Sequence, residues 1–200
     1  MILECVSCCI CDNRNSLIYA VDWQGFQIVE CRGCKLRFVS PRPSRETLVE
    51  KVYQEKYYGK RFESLADVPF SEDYLNYLDA IEKVKKEKGT ILDVGTGNGI
   101  FLLQAKRRGW NVEGTDISPT QVDYLRKILG LNIHFGLLED LHLPENYYDV
   151  ISLNQVLEHT VNPRATLLKC KEILKPDGII YMVLPNTAGL NDRIKDLISR

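Results

Sequence analysis

The sequence predicts an α/β fold, in which helices cover a parallel sheet, with a small metal-binding module in front of it. Over residues 89–200, aliphatic strand patterns alternate with amphipathic helix patterns, which is typical of parallel strands joined by right-handed crossovers. Six of the seven cysteines fall within the first 34 residues, as expected for a metal module rather than a disulfide scaffold. In a chain of 200 residues we therefore expect a cysteine module over residues 1–45, a helical connector over 46–88 and the α/β domain over 89–200.

The cysteine module contains two Cys-x2-Cys pairs separated by nineteen residues, a spacing typical of zinc sites. The ligands that this spacing predicts are Cys8, Cys11, Cys31 and Cys34. Four thiolates complete a closed tetrahedral shell, so we predict a structural Zn²⁺ ion rather than a catalytic one. Cys5 also stands at Cys-x2-Cys spacing from Cys8, with Cys9 close by, but the loop length favours the first set. We expect Cys5, Cys9 and Cys170 to be free thiols.

Residues 17–20 and 26–30, on either side of a turn at 22–25, predict a β-hairpin between the two cysteine pairs. With this hairpin the module is identified as a zinc ribbon of the rubredoxin-like type. Such a small unit buries too little apolar surface to fold unaided, so we expect the metal to supply much of its folding free energy.

Two helices are expected in the connector. Ser44 is a candidate N-cap for a helix over residues 45–57, in which tyrosines at helical spacing most simply form a packing face. The alternative is that Tyr57 or Tyr58 covers the mouth of a ligand site. Apolar residues at every third or fourth position predict a second helix over residues 71–88.

The first strand of the α/β domain runs into a glycine-rich turn and then into a helix over residues 100–108. The candidate binding residues at this turn are Asp93, Gly95, Thr96, Gly97 and Gly99. Such a turn directs backbone N–H groups and the positive helix end towards a ligand, as in Rossmann-like domains. Its spacing is G-x-G-x-G rather than the dinucleotide G-x-G-x-x-G, with a carboxylate two residues before the first glycine. A carboxylate there repels a pyrophosphate but attracts a cation, such as the ammonium group of an amino acid.

Four further strands are predicted, at residues 111–115, 132–135, 148–153 and 179–184. The second strand of the domain ends at Asp116, which is placed to accept hydrogen bonds from both ribose hydroxyls of a nucleoside. Asn162 caps the helix that follows the fourth strand, and residues 175–178 predict a turn before the fifth. A last helix is expected over residues 190–199.

The chain resembles the class I S-adenosylmethionine (SAM) methyltransferases in four motifs that occur in the family's order. They are Asp93-x-Gly95-x-Gly97-x-Gly99, Asn154-Gln-Val-Leu-Glu-His-Thr-Val-Asn-Pro163, Leu174-Lys-Pro-Asp-Gly178 and Leu184-Pro-Asn186. The chain is similar to the quinone-biosynthesis O-methyltransferases, and with the zinc ribbon it resembles a bacterial group in which such a ribbon precedes the methyltransferase domain. The class I sheet has seven strands, whereas five are predicted here, so we expect the last two to be missing and the domain to be C-terminally incomplete.

The resemblance implies a SAM site. Its residues in this chain are Asp93, Gly95, Thr96, Gly97, Gly99, Asp116, Ile117, Leu138, Glu139, Asn154 and Gln155. The glycine turn would hold the methionine part, Asp116 the ribose, and the residues after the fourth strand would face the sulfonium and the acceptor. Many family members carry an aspartate for the adenine amino group where this chain has Leu137, so we move adenine recognition to Leu138 and Glu139.

The resemblance further implies a SAM-dependent methyltransferase that acts on an O, N or C atom of a small-molecule acceptor. We assign no catalytic residue: His159 is a candidate general base, but a hydrogen-bonded structural histidine is the interpretation that we favour. The alternatives are an RNA methyltransferase whose ribbon holds the nucleic acid, and a non-catalytic interaction protein built on the same fold.

Charge and hydropathy narrow the range of partners. A formal net charge of −1 gives no electrostatic reason to expect nucleic acid as the main partner. No apolar run approaches the ~20 residues that a membrane helix needs. Because the N-terminus also lacks the basic region of a secretory signal, we expect a cytoplasmic protein without a membrane partner.

Overall fold

The computed structural model describes residues 3–47 and 62–185. Short strands and one short helical segment form the first part of the described chain, as β1 (Leu3–Glu4), β2 (Ser16–Val21), β3 (Gln27–Cys31), β4 (Arg37–Val39), β5 (Arg42–Pro43) and α1 (Arg45–Thr47). The second part contains α2 (Glu72–Val84), β6 (Thr90–Val94), α3 (Ile100–Arg107), β7 (Asn111–Asp116), α4 (Pro119–Lys127), β8 (Asn132–Phe135), β9 (Tyr148–Asn154), α5 (Pro163–Ile173) and β10 (Leu174–Val183). Short 3₁₀ turns lie at Leu65–Asp67, Leu138–Asp140 and Leu157–His159.

The cysteine module is a small antiparallel unit. β2, β3 and β4 form one sheet in that order, and β1 pairs with β5. The predicted hairpin is confirmed, and in its turn the Asp22 carboxylate accepts hydrogen bonds from the N–H groups of Gln24 and Phe26 at 2.9 and 2.8 Å. β1, β4 and β5 have only two or three residues each, too few to show an alternating pattern in the sequence.

The second part is an α/β unit whose described strands form a parallel sheet in the order β10-β9-β6-β7-β8. This arrangement confirms the predicted fold class. β6 lies at the centre, and all of its residues are buried because strands flank it on both sides and helices cover both faces. Since the strands are parallel, the carboxyl ends of β6, β7, β8 and β9 meet at one edge of the sheet.

Two hydrophobic clusters cover the two faces of this sheet. Ile91 belongs to the first cluster and Leu92 to the second, as expected for neighbours in a strand. The first cluster includes Leu78 and Ile81 of α2, so this helix packs on the same core as α3 and α4. Ile173 of α5 belongs to the second cluster, on the other face.

The end of α2 differs from the predicted one. The helix ends at Val84 rather than Lys88, because Lys85 is extended, with φ of −100° and ψ of 93°. The ammonium group of Lys85 donates to the Asp177 carboxylate at 2.8 Å, and that of Lys88 pairs with Glu82 at 2.5 Å. Lys85 and Lys88 therefore make ion pairs instead of extending the helix.

The predicted turn over residues 175–178 lies inside β10 rather than before it. Leu174 pairs with Tyr148 of β9, whereas Ile179 pairs with Val150, so the residues between them interrupt the register as a bulge. The turn signal in the sequence therefore marks an irregularity within a longer strand.

Other predictions fall outside the described residues. These are residues 48–57 of the helix expected over 45–57, the neighbouring Tyr58, and the helix expected over residues 190–199. Within the described ranges, no helix is both long and apolar enough to cross a membrane.

Candidate functional site

The carboxyl ends of β6, β7, β8 and β9 border a cavity of about 340 Å³, which we call the strand-end cavity. Ligands of open α/β sheets usually bind at this edge. Ten of the eleven residues predicted to bind the cofactor line the cavity, namely Asp93, Gly95, Thr96, Gly97, Asp116, Ile117, Leu138, Glu139, Asn154 and Gln155. They follow four different strands, so the fold is what brings them together.

Two glycines of the turn after β6 have different surroundings. Gly97 lines the cavity with φ of 57°, and a Cβ built there would meet nothing closer than the Gly95 carbonyl oxygen at 3.9 Å. It leaves open space in which a ligand can approach the backbone. Gly99 does not line the cavity, and a Cβ there would lie 2.7 Å from Leu125 Cδ2. Gly99 therefore permits close packing between α3 and α4 rather than contact with a ligand.

Asp93, in β6, places a carboxylate in the wall of the cavity. Its Oδ1 accepts hydrogen bonds from Ser152 Oγ at 2.5 Å and from Asn154 Nδ2 at 3.3 Å. Burial raises the pKa of Asp93 to about 7; these two hydrogen bonds oppose the shift, and the charge of Asp116 adds to it. A cation bound in the cavity would favour the ionised carboxylate.

Asp116 ends β7 beside the glycine turn and is 3% exposed. Its carboxylate accepts hydrogen bonds from the N–H groups of Gly97 at 3.2 Å and Ser118 at 2.9 Å. These bonds fix the carboxylate in the cavity wall. Each carboxylate oxygen can accept more than one hydrogen bond, so the hydroxyls of a ligand can share them.

Three residues, Thr96, Gly114 and Gln121, support the turn between β6 and α3. The Thr96 hydroxyl donates to the Asp93 carbonyl oxygen at 3.0 Å and to the Thr115 carbonyl oxygen at 3.3 Å, which joins the ends of β6 and β7. Gly114 is required beside it, since a Cβ there would lie 2.1 Å from Thr96 Oγ1. Gln121 Nε2 of α4 donates to the carbonyl oxygen of the central glycine at 2.6 Å. Gln121 is a polar residue on the buried face of α4, which is the sequence signal for this contact.

The end of β9 holds two residues in unfavourable states. Asn154 Oδ1 is buried and has no hydrogen-bond partner among the residues that the structure describes. Leaving such an acceptor unpaired costs about 1–3 kcal/mol, so it fits a ligand that brings a donor. Gln155 adopts the left-handed conformation with φ of 57°, and its N–H donates to the Val183 carbonyl oxygen at 2.9 Å. Strain of this kind is common at binding sites.

The loop after β8 lines the side of the cavity where adenine recognition is predicted. Leu138 is only 3% exposed and packs mostly in the core, while Leu137 also lines the cavity. Glu139 Oε2 accepts a hydrogen bond from Thr166 Oγ1 at 3.4 Å, which joins this loop to α5. Of the two residues predicted to recognise adenine, Leu138 is therefore a core residue and Glu139 a polar one, and Leu137 lines the cavity beside them.

Other residues in the cavity wall were not predicted to bind the cofactor, although some of them belong to the motif over residues 154–163. They include Tyr74, Phe101, Val156, Thr160, Val161 and Thr166. Tyr74 comes from α2 and Thr166 from α5, and no local motif indicates that either reaches this edge. His159, in a 3₁₀ turn, lines the cavity, whereas its neighbour Glu158 does not.

The cysteine module gathers the four predicted metal ligands. The sulfur atoms of Cys8, Cys11, Cys31 and Cys34 all lie within 4.8 Å of one another. Backbone N–H groups of Cys34 and Gly33 lower the pKa of the Cys31 thiol to about 7. The pKa of the Cys34 thiol is raised instead, because the lowering effect of the backbone N–H of Leu36 is outweighed by the hydrogen bond with Cys8 and by desolvation. Cys5, Cys9 and Cys170 are not part of this group.

The two cysteine pairs have the same backbone turn. Asp12 N–H donates to the Cys8 carbonyl oxygen at 2.8 Å, and Lys35 N–H donates to the Cys31 carbonyl oxygen at 3.1 Å. Asp12 and Lys35 are both left-handed, with φ of 57° and 66°. Asp12 and Lys35 are therefore equivalent turn residues after the two cysteine pairs.

Polar contacts join the cysteine module and the segment after it to loops of the strand-end cavity. They are Arg42 Nη1 with the Val161 carbonyl oxygen at 2.5 Å, Arg164 with Asp12 at 3.0 Å, and Arg45 with Asp140. Val161 itself lines the cavity. The module therefore lies against the loop between β9 and α5.

Comparison with known proteins extends these observations. A family model described as a methyltransferase domain matches residues 62–197, which is more than half of the chain. A ubiquinone biosynthesis O-methyltransferase of Actinobacillus pleuropneumoniae serotype 7 (strain AP76) is 34% identical over 101 residues, covering 46% of this chain and 43% of that protein. The chain thus spans less than half of the length of this curated relative.

Solved structures share the fold. The PH0226 protein from Pyrococcus horikoshii OT3 matches with a TM-score of 0.54 and 20% identity, covering 68% of this chain and 64% of that chain. A SAM-dependent methyltransferase from Archaeoglobus fulgidus matches with a TM-score of 0.53 and 24% identity, covering 63% of this chain and 57% of that chain. At these identities the likeness concerns the fold alone.

Proposed function

This chain belongs to the methyltransferase domain family, and from that premise we propose that it transfers a methyl group from SAM to an O, N or C atom of a small-molecule acceptor. The observation that carries the proposal is the strand-end cavity, with two buried aspartates at the ends of adjacent parallel strands. Asp93 suits an ammonium group and Asp116 suits ribose hydroxyls, which are the two polar ends of this cofactor.

The residues present fit the cofactor in two further respects. Gly97 leaves the backbone open to a ligand, because a Cβ there would find no atom within van der Waals contact except one carbonyl oxygen at 3.9 Å. Asn154 Oδ1 offers a buried acceptor that has no partner among the described residues. An amino-acid-tailed nucleoside has donors for such an acceptor, whereas a bare pyrophosphate has none.

In the proposed reaction the protein acts mainly through proximity and orientation. SAM supplies a methyl group that is already activated by its sulfonium leaving group, so the protein must hold it in line with the acceptor atom. The hydrogen bonds among Asp93, Ser152, Asn154 and Thr96 make the cavity wall rigid. His159 lines the cavity and is a candidate general base, but we assign no proton transfer to it.

We also propose that the four clustered cysteines bind a structural Zn²⁺ ion. The paired turns and the sulfur atoms within 4.8 Å of one another support this assignment. A four-thiolate shell leaves no open position, so the metal would supply folding free energy and orient the module rather than take part in methyl transfer.

Calorimetry tests the cofactor assignment. Titration of the chain with S-adenosylhomocysteine, the demethylated product, should give saturable one-to-one binding, while NADH should give none. Alanine substitution of both Asp93 and Asp116, in a protein that remains folded, should abolish that binding. Absence of heat at high micromolar ligand, or unchanged affinity in the double variant, contradicts the proposal.

A labelling experiment tests the acceptor class. The protein is incubated with cell extract and SAM labelled at the methyl group, and the extract is then separated into small molecules, RNA and protein. Label in the small-molecule fraction is the expected result. Label confined to RNA would instead support the alternative in which the cysteine module holds nucleic acid.

A further inference from the structure

β2 and the turn after it expose several large apolar side chains close together. Within residues 17–23 five such side chains are more than half exposed, and the turn residue Trp23 is 91% exposed. Single apolar side chains are common on protein surfaces, but a contiguous group of this size marks an interaction surface. The five residues, which we call the β2 surface, are Leu17, Ile18, Tyr19, Val21 and Trp23.

β2 also forms an edge of its sheet. In the order β2-β3-β4 it pairs only with β3, and within the described ranges none of the backbone hydrogen bonds outside the regular strands and helices involves Ser16–Val21. The outer N–H and C=O groups of β2 can therefore bond to a further strand. Edge strands usually carry charged residues or proline that prevent such pairing, whereas Ser16–Val21 contains neither.

A bulge at Tyr19 determines how a further strand can be held. The pairing of β2 with β3 shifts between Ile18 and Ala20, which leaves Tyr19 as the extra residue. The guanidinium group of Arg37, on β4, lies over the Tyr19 ring, 3.6 Å from its centroid. Because the bulge interrupts a regular ladder, contacts of the apolar side chains must contribute most of the association.

The charges on either side of β2 favour a second copy of this chain as the partner. The exposed Arg14 precedes the strand, and Asp22 follows it. In an antiparallel pair of two β2 strands, the start of one strand lies beside the end of the other. Opposite charges from the two copies then meet at both ends of the contact, whereas a parallel pair would bring like charges together.

The area of the β2 surface is sufficient for a dimer. Five side chains with these exposed fractions offer roughly 700 Å² per copy, close to the ~800 Å² that each partner buries in an interface of standard size. Two of them, Tyr19 and Trp23, are of the residue types that contribute most to binding free energy in protein interfaces.

We propose that two copies of this chain associate through the β2 surface, with their β2 strands antiparallel about a two-fold axis. The contact joins the two three-stranded sheets side by side and is the same on both copies. It involves no residue of the strand-end cavity, so it is independent of the proposed methyl transfer.

Sedimentation equilibrium of the full chain tests this association, with a reductant present so that the free thiols of Cys5 and Cys9 cannot cross-link copies. The unsubstituted protein should dimerise with a micromolar or lower dissociation constant. Ile18→Lys places a charge in the contact and should raise that constant at least about 100-fold. Val84→Lys is the matched control, since Val84 is 65% exposed, against 62% for Ile18, but lies on α2. It should leave the association unchanged.

A second variant tests the antiparallel arrangement without changing an apolar side chain. Arg14→Glu brings like charges together at both ends of the contact and should raise the dissociation constant about tenfold, with a smaller effect at high salt. Hydrogen exchange provides an independent measurement. Amides of β2 should gain protection as the protein concentration rises, and protected β3 amides show that the module of each variant is still folded.

A monomer at every concentration tested overturns the proposal, and so does a dimer that Ile18→Lys leaves intact. Protection of β2 that requires added single-stranded RNA instead of a higher protein concentration assigns the surface to nucleic acid, which also overturns it. If Ile18→Lys unfolds the module, Arg14→Glu decides, because Arg14 is exposed and lies outside the strands. An unchanged dissociation constant in Arg14→Glu overturns the antiparallel arrangement.

Discussion

Among residues 3–47 the buried hydrophobic side chains are Cys8, Val29 and Cys31, whereas the α/β unit buries a large cluster on each face of its sheet. The cysteine module thus has one aliphatic side chain as its core besides its thiols. The four clustered thiols of this module lie close enough together for one metal ion to bind them all. The polar side chains of the strand-end cavity lie beside an extensive hydrophobic core. One of their buried acceptors, Asn154 Oδ1, has no hydrogen-bond partner among the described residues.

Because of this difference, left-handed residues and clustered polar groups have different energetic consequences in the two regions. Left-handed Asp12 and Lys35 close turns that gather the four thiols, so the metal binding that we propose would offset their strain. Left-handed Gln155, the unpaired Asn154 Oδ1 and the raised pKa of Asp93 are unfavourable features that the surrounding core tolerates. We expect loss of the module's polar groups to unfold it, and loss of the cavity's polar groups to abolish binding without unfolding the domain.

Metal removal should have the largest effect. Structural zinc contributes roughly 10 kcal/mol or more in small cysteine modules, so Cys11→Ser should release the metal and unfold residues 3–47. Hydrogen exchange read by segment is the measurement: amides of β3 should lose protection, while those of β6 should keep it. Cys5→Ser is the control, because Cys5 lies outside the ligand group. Retained protection in β3 after metal loss would show that the module has a sufficient core without the ion.

Asp93→Asn should come next. The substitution keeps the shape and removes the charge, and an unpaired ligand ammonium should lower the affinity for S-adenosylhomocysteine at least about 100-fold. Calorimetry measures this, with Asp123→Asn on the exposed face of α4 as the control. Asp123 is paired with Lys127 on the surface and should not affect binding.

The same variant should be more stable than the unsubstituted protein at neutral pH. The usual pKa of Asp93 near 3.8 is raised to about 7 in the folded protein, so the folded state holds a proton that the unfolded state has lost. The contribution of Asp93 to stability is therefore full below about pH 4 and decreases as the pH rises to about 7. Urea melts should show that Asp93→Asn raises the free energy of unfolding by up to about 4 kcal/mol at pH 8. A lower free energy of unfolding would contradict the expectation that loss of a polar group destabilises the cysteine module but not the α/β unit.

The cysteine module and the strand-end cavity could be predicted from the sequence to different extents. The clustering of the four cysteines could be predicted because each pair needs only a local turn of four residues. The acidic strand ends could be predicted because they follow clear β patterns. Tyr74 and Thr166 could not, because their place in the cavity depends on how α2 and α5 pack on the sheet. Gly99 belongs to the motif in sequence, but the structure uses its missing side chain for packing against Leu125.

The pH dependence of ligand affinity should be smaller than the effect of Asp93→Asn. If the ligand ammonium binds only the ionised carboxylate and the pKa is about 7, affinity should fall about twentyfold between about pH 7.5 and pH 5.5. The measurement is a calorimetric titration of S-adenosylhomocysteine across this range. 5′-Methylthioadenosine should show a nearly flat profile because it carries no ammonium group, and a flat profile for both ligands would mean that Asp93 does not face that group.

The ion pair between Asp12 and Arg164 should have the smallest effect, although it is a direct link between the two regions. Both side chains are more than half exposed, at 74% and 53%, and exposed pairs contribute about 0.2–1 kcal/mol. Arg164→Ala should therefore change the affinity for S-adenosylhomocysteine less than about threefold, because solvent screens the pair. A double-mutant cycle with Asp12→Asn isolates the interaction. A coupling energy larger than about 2 kcal/mol would mean that the cysteine module helps to position the loop between β9 and α5. The two regions would then be energetically coupled.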